Sequence, residues 1–538
     1  MTAMSLKPKP PRRLPEDVAR LEPLLAKDSL YRFIGNTLYE KYDEADFADL
    51  YHTEGQPGVS PVLLAFVTVF QFLEKLSDRM AAEAVRVRLD WKYALHLPLD
   101  YAGFHYSVLS EFRTRVIHHQ AEARLFDSVV KQLQELGLVK QRGRQRTDSL
   151  AISSKVRDLT RLEQLVETVR LALCALLKAD PAWTRTNVPV SWEELYGKRC
   201  VSQKMTHAER QAAMKRVGPD GQWLLERLQA EGTPVILREL PEVAVLTQTW
   251  QQKFEIVEEV LVLRKPGPFD GETTIATPHD PDARYSEKRG QGWVGHKLQV
   301  TETDDESQPH LITDIAVTSS VETDYEALEG IQKRLEERDV LPGQQVADGG
   351  YMTEDNLVNS AKLSIDLAGP VKKDTHLQTR MAGGLSLDQF QVDFDHLTAV
   401  CPAGKQANLG TSKGKRLVFR FRTADCVACS WRPRCCTGAS GRSLSLGWNY
   451  RVLQAARARQ ETREFKALYR QHRGGVEGCL SALVRGQGIR VARYIGRAKV
   501  HLQALFTGAA VNLRRTARWL AGIRPQTKRR VLSLSQNG

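Results

Sequence analysis

The sequence predicts a mixed α/β fold with an all-α N-terminal domain, a helical insertion and a small cysteine-bearing insertion. Three observations predict it. Apolar stripes at helical spacing dominate the first 140 residues. Short apolar runs of strand length then occur at 144–153, 293–303, 311–318, 344–347 and 364–368, with amphipathic helices after the third and fourth. Two long stretches, 155–270 with a helical pattern and 372–446 polar and cysteine-bearing, interrupt that set. A chain of 538 residues exceeds a single hydrophobic core, so three or four units are expected.

Residues 1–30 read as a basic flexible arm, rich in proline and without the apolar segment of a secretory signal. Residues 31–140 form the helical N-terminal domain. Ser60 is an N-cap followed by Pro61 at the first helical position, after which Leu63, Phe66, Val67, Phe70 and Leu73 recur at helical spacing. Ser77 restarts a second helix, expected to run through Trp91 to Leu95. Ser107 opens a third, in which Leu109, Phe112 and Val116 face inward while Arg113 and Arg115 are expected to be exposed. A fourth spans roughly 122–136 and stops at Gly137. Arginines on the third helix suit a helix-turn-helix reader of DNA, which makes 31–140 the expected DNA-binding domain; a bundle with a solvated charged face is the alternative.

The next strand, 144–153, holds Asp148 between apolar positions, where an unpaired charge is costly unless it is partnered or bound to a metal. Asp314 stands in the same way inside a later strand, and the residues alone do not choose between them. Asp348 follows the run 344–347 and precedes Gly349 and Gly350, a pattern that puts a carboxylate at the open end of a sheet. On a later helix Glu477, Ser481 and Arg485 share one face, which reads either as part of a site or as an exposed salt-bridging face. Residues 516–538 form a basic tail.

Lysine and arginine number 77 against 64 acidic residues, a net charge of +13, so a polyanion, most commonly nucleic acid, is the expected partner. No apolar run is long enough to span a bilayer, and a cytoplasmic location is expected. In that compartment the eight cysteines do not suggest disulfides. Cys401, Cys426, Cys429 and Cys435 have the spacing of a structural Cys₄ zinc site, or its relic, and Cys436 is able to replace Cys435. His279 and His296 are scattered and read as structural.

The segments RTDSLAI, VADGGYM and GVEGCLSALVRGQGIRVARYIGRAKVHLQALFTGAAVNLRR resemble the three blocks of DDE transposases of bacterial insertion sequences. FHYSVLSEFRTRV and HDPDARYSEKRGQGWVGHKLQV extend the resemblance from about residue 30 to 515. It implies a ribonuclease-H-like sheet built from 141–154, 271–371 and 447–515, with Asp148, Asp348 and Glu477 as the triad. It also selects Asp148 over Asp314. Two Mg²⁺ ions, replaceable by Mn²⁺, would then sit on the three acids and support phosphoryl transfer. Arg473 and Arg485 would hold phosphates, and Tyr494, Arg497 and Lys499 would extend the track along the DNA. Relatives place Tyr, Arg, Glu and Lys at fixed steps around the third acid. Here Arg473 fits, Tyr469 falls one place early, Val484 stands at the lysine position and Arg485 one place late.

The implied activity is binding of the element's terminal inverted repeats, cleavage of the ends and joining of their 3′-hydroxyls to double-stranded target DNA. The implied assembly is a homodimer or larger, and the implied location is the bacterial nucleoid. Two other readings suit the same residues: an inactive or repurposed sequence-specific DNA-binding protein, and a metal-dependent endonuclease without strand transfer.

Overall fold

The computed structural model describes residues 4–6, 13–52, 54–156, 159–265, 271–288, 290–372, 377–413, 416–436 and 438–524. Parts of the expected basic arm (1–3 and 7–12) and of the basic tail (525–538) lie outside the described residues. The centre is one mixed sheet of β1 (Arg144–Ser153), β2 (Arg284–Lys288), β3 (Gln291–Thr303), β4 (Ile312–Ser319), β5 (Gln344–Val346) and β6 (Asp366–Ala368). β6, β5 and β1 run parallel, and β3 is antiparallel to β1. The far edge of β3 takes β2 along 291–295 and β4 along 296–302.

Register decides what meets what. Arg146 is level with Val346 in the parallel pair β1–β5, so Asp148 and Asp348, each two residues further on, emerge side by side. Across β1, β3 and β4 the register aligns Thr147, Thr301 and Asp314 in one row and Asp148, Val300 and Ile315 in the next. Alternation therefore sends Asp148 and Asp314 to opposite faces of the sheet.

The N-terminal helices share the sheet's core. Helix α1 (Pro61–Glu74) begins at the Ser60 cap, whose Oγ accepts from the Leu63 amide at 3.1 Å. Every residue from Pro61 to Phe72 is buried, as expected for a helix apolar on all sides. Phe66, Phe70, Trp91 and Phe112 belong to the same hydrophobic cluster as Leu150, Leu298 and Val300 of the sheet and Leu505 and Phe506 of the last helix. The second predicted helix is broken: Asp78–Val87 and Leu89–Ala94 meet at Arg88, whose backbone is extended and whose guanidinium holds Glu74 and Asp90.

On helix α2 (Ser107–His118) the expected exposure of Arg113 is not found. Arg113 is buried, donates to Asp78 at 2.6 Å and lies over the Tyr494 ring at 5.4 Å, so its charge ties two helices together. Arg115 is half-buried over the Tyr51 ring at 4.5 Å.

The insertions have cores of their own. Leu165, Val217, Leu224, Leu246 and Trp250 gather the helices of the first. Where its helical pattern was expected to continue, Phe254–Val257 and Val260–Leu263 pair as a hairpin. The cysteine-bearing stretch holds an unforeseen five-stranded antiparallel sheet around Leu417, Phe419 and Leu444. Among the described residues no helix is long and apolar enough to cross a membrane.

Candidate active site

Three further helices pack around the central sheet: α3 (Asp324–Glu337), α4 (Arg463–Ser481) and α5 (Arg497–Leu520). Asp148, Asp348 and Glu477 line one cleft there, of about 890 Å³. Segments far apart in the chain thus converge, but in unequal environments.

The Asp148 side chain is only 9% exposed; its Oδ1 accepts from the Ser149 amide at 2.8 Å and its Oδ2 from Arg473 Nη2 at 2.8 Å. Burial raises its pKa above the ordinary aspartate value, and the Asp348 charge pushes the same way against Arg473 and the Ser149 amide. Asp348 Oδ1 accepts from the Gly350 amide at 2.7 Å, an Asx-type turn that fixes the carboxylate. Neither glycine of that turn has positive φ; space requires them. A Cβ on Gly349 would lie 2.8 Å from the Pro370 carbonyl, and one on Gly350 within 3.0 Å of both Asp348 Oδ1 and Asp324 Oδ2. Glu477 is the outlying acid: its side chain is 72% exposed, and Oε1 lies 4.0 Å from Arg473 Nη1.

A buried charge network holds α4 against β1. Arg146 donates to Glu302 at 2.8 Å and Asp304 at 2.7 Å, and its Nη1 reaches the His472 carbonyl at 3.4 Å. His472 in turn touches Asp304 at 2.7 Å and Arg144 at 2.8 Å. Burial opposes the charge on Glu302, yet Arg515 and Arg146 hold its pKa below the ordinary glutamate value. Gly475 is where the helix passes over this network; a Cβ there would lie 1.8 Å from Arg146 Nη1. The network therefore fixes Arg473 and Glu477 relative to Asp148.

Sequence reasoning missed several residues at this place. Asp324, at the start of α3, lies beside Asp348 across Gly350, with Lys297 Nζ 3.5 Å away. In the sequence it is indistinguishable from an ordinary first-turn acid within the capping box of Thr323 and Glu326. Lys288, Gln291 and Trp293, from the β2–β3 hairpin, and Arg490 also line the cleft. Buried Tyr351 donates to Gln299 at 2.6 Å beneath the acids; burial, then the charges of Asp324, Asp148 and Asp348, keep its hydroxyl protonated.

Of the residues expected to touch DNA, Arg473 and Arg485 line the cleft, as does Val484, which stands at the lysine position of relatives. Tyr494 and Lys499 do not; they border a separate cavity of about 60 Å³ with Arg113. Arg497 is exposed at the start of α5, its amide donating to Asp282 at 3.0 Å. Asp314, the rival metal ligand, is fully buried and gripped by Arg334 at 2.8 Å through both oxygens and by Arg338 at 2.7 Å. Despite burial, those two arginines hold its pKa below the ordinary value, and it has no open coordination position.

Oxygen-only donors suit a hard divalent cation in kind. In spacing they do not yet form a cage, since among the described residues no three His, Cys, Asp or Glu side chains stand close enough to hold a metal ion. The same holds for the expected zinc ligands Cys401, Cys426, Cys429 and Cys435, so a zinc site is not supported. The Cys401 and Cys426 sulfurs accept from the amides of Lys405 and Arg442 at 3.3 and 3.4 Å, and burial pushes the Cys435 thiol up to about 11. His279 pairs with Glu167 at 3.2 Å, and buried His296 lies 3.7 Å from Asp280; neither lines the cleft.

Two stretches match families of known proteins. Residues 400–517, which include Glu477, match the Transposase DDE domain, and residues 19–115 match the Transposase domain (DUF772). No curated protein and no solved structure matches the chain.

Proposed function

We propose that this chain, whose matched stretches support a DDE transposase of insertion-sequence type, binds the terminal inverted repeats of its element, cleaves the ends and joins their 3′-hydroxyls to target DNA. Asp148, Asp348 and Glu477 are the triad of this reading. The observation that carries it is their convergence on one cleft from three separate segments, with Arg473 among them. We also read the sheet as ribonuclease-H-like. The strand order β4-β3-β1-β5-β6, with β3 alone reversed, supports that reading.

Divalent cations of the kind the family generally uses, Mg²⁺ with Mn²⁺ able to substitute, would be held by the three acids and would supply charge stabilisation to the attacking and leaving oxygens. The chain's own residues do the rest. Arg485, Arg490 and Lys288 line the cleft and offer phosphates several cations. Trp293, Leu480 and Val484 supply apolar surface for sugars and bases. The exposed Arg497 and Lys499 extend the basic surface beyond the cleft. A homodimer or larger assembly on paired ends completes the proposal, since two ends must be joined together.

The test incubates purified protein with end-bearing DNA, a supercoiled target plasmid and Mg²⁺. Joined products are expected. Cleavage without joining under any condition would replace this reading with that of a nuclease, and end binding without cleavage would leave a DNA-binding protein.

A further inference from the structure

The acids and their one close cation disagree with a loaded metal site, and the disagreement has an author in Arg473. Its Nη2 donates to Asp148 at 2.8 Å, while its Nη1 lies 4.0 Å from Glu477. Nη1 is shielded from solvent yet makes no hydrogen bond. The charges of both Asp148 and Asp348 act on the guanidinium. One guanidinium thus stands between Asp148 and Glu477 and within the field of Asp348, where a bound cation would compete with it.

The grip is incomplete. Asp314 receives a two-pronged bond from Arg334 and another from Arg338, whereas Asp148 receives a single bond from Arg473. Glycines stand on both sides of Glu477 at 474, 475 and 478, and a Cβ on Gly474 or Gly478 would meet nothing within 4 Å. The Arg146 network and the tight passage at Gly475 hold the α4 backbone, while the singly bonded Arg473 guanidinium and the exposed Glu477 side chain can turn where they face the cleft. A guanidinium prefers a phosphate, which it can grip with two bonds, to a carboxylate it holds by one.

We propose that Arg473 is an internal counter-ion that competes with the divalent cation for the carboxylates, and that a DNA phosphate relieves the competition by drawing Arg473 away. The inference rests on the triad reading above. Its consequence is reciprocal: the cation and the DNA each strengthen the other's binding through one side chain. Without DNA, Arg473 keeps the acids neutralised and the cation site weak, so the cleft loads its metal chiefly when a strand is present.

The test measures Mn²⁺ affinity by electron paramagnetic resonance on the full chain, without DNA and with a short duplex bearing the end. Wild type, Arg473→Gln, Arg473→Lys and Asp348→Asn are compared, each first checked for an unchanged thermal unfolding profile. In the absence of DNA, Arg473→Gln is expected to bind Mn²⁺ about tenfold more tightly than wild type, because a neighbouring positive charge is gone. Arg473→Lys should stay near wild type, since it keeps the charge. DNA should tighten Mn²⁺ binding more in wild type than in Arg473→Gln. Equal affinity of wild type and Arg473→Gln without DNA overturns the proposal, as does an equal DNA effect in both. If Asp348→Asn binds Mn²⁺ as wild type does, the triad reading itself fails. If Asp348→Asn loses the ion while Arg473→Gln gains nothing, only the role of Arg473 falls.

Discussion

Asp314 and Asp148 lie one strand apart from β3 on either side, on opposite faces of one sheet, and both face arginine. At Asp314 one acid meets two cations: Arg334 and Arg338 fill its oxygens, and no side-chain surface is exposed. Around Arg473 the grip is looser: the guanidinium bonds Asp148 once, stands 4.0 Å from Glu477 and feels the charge of Asp348 in an open cleft. A buried carboxylate saturated by partners is structure. Carboxylates that no directly bonded partner saturates, beside an open cleft, store repulsion that a ligand can relieve. Saturation by direct partners separates the two clusters better than burial does.

That contrast can be broken at either end. The largest effect is expected for Asp348→Asn, which should keep end binding, measured by gel shift, while cutting cleavage by about 10⁴-fold. Its unfolding temperature should not fall, since a repelling charge has been removed; preserved cleavage would place the chemistry elsewhere. Asp314→Asn should do the converse. Taking the buried carboxylate from Arg334, and one of the two carboxylates that hold Arg338, should cost about 3–5 kcal/mol in denaturant unfolding. The sign with pH follows from its depressed pKa: the stabilisation is present above the ordinary aspartate range and disappears as pH falls through the folded value. The gap between wild type and Asp314→Asn should therefore close in acid.

Gly475→Ala tests whether the Arg146 network sets the distance between α4 and β1. Overpacking should cost about 1–3 kcal/mol, and the displaced helix should lower cleavage by about 10²-fold; unchanged cleavage would mean that the network does not position Glu477. The smallest effect concerns His501, beside the Asp314 cluster. Burial lowers its pKa from 6.5 to about 4, with the charges of Arg334 and Arg338 acting in the same sense, and its Nδ1 accepts from the Val317 amide at 3.1 Å. The neutral ring stabilises the fold above pH 6.5, and that contribution is lost as pH falls towards about 4. His501→Asn should flatten the stability profile between pH 6.5 and 5, by up to about 1.4 kcal/mol per pH unit.

The strands that carry Asp148 and Asp348 are legible in the sequence because local pattern suffices for them. Residues 144–153 form a strand with the expected bounds, and the apolar run before Asp348 ends where the sheet does. What escaped is what depends on partners distant in the chain. Arg113 looks like a surface cation until Asp78, on another helix, is seen to hold it. Asp324 looks like a helix-start acid until Gly350 brings it to Asp348. The strands of the cysteine-bearing stretch are rich in polar residues, and short alternations such as Leu417 with Phe419 and Leu444 with Leu446 mark their buried face. Lys288, Gln291 and Trp293 belong to the cleft because β3 runs on past the end of β1, a length no local periodicity reveals.

The most direct test replaces Mg²⁺ with Fe²⁺ in the presence of end DNA and maps the peptide bonds cut by locally generated hydroxyl radicals. The account predicts cuts in three segments, around residues 148, 348 and 477, all lost in Asp348→Asn. Cuts confined to one segment, or gathered around Asp314 or the cysteines, would contradict it.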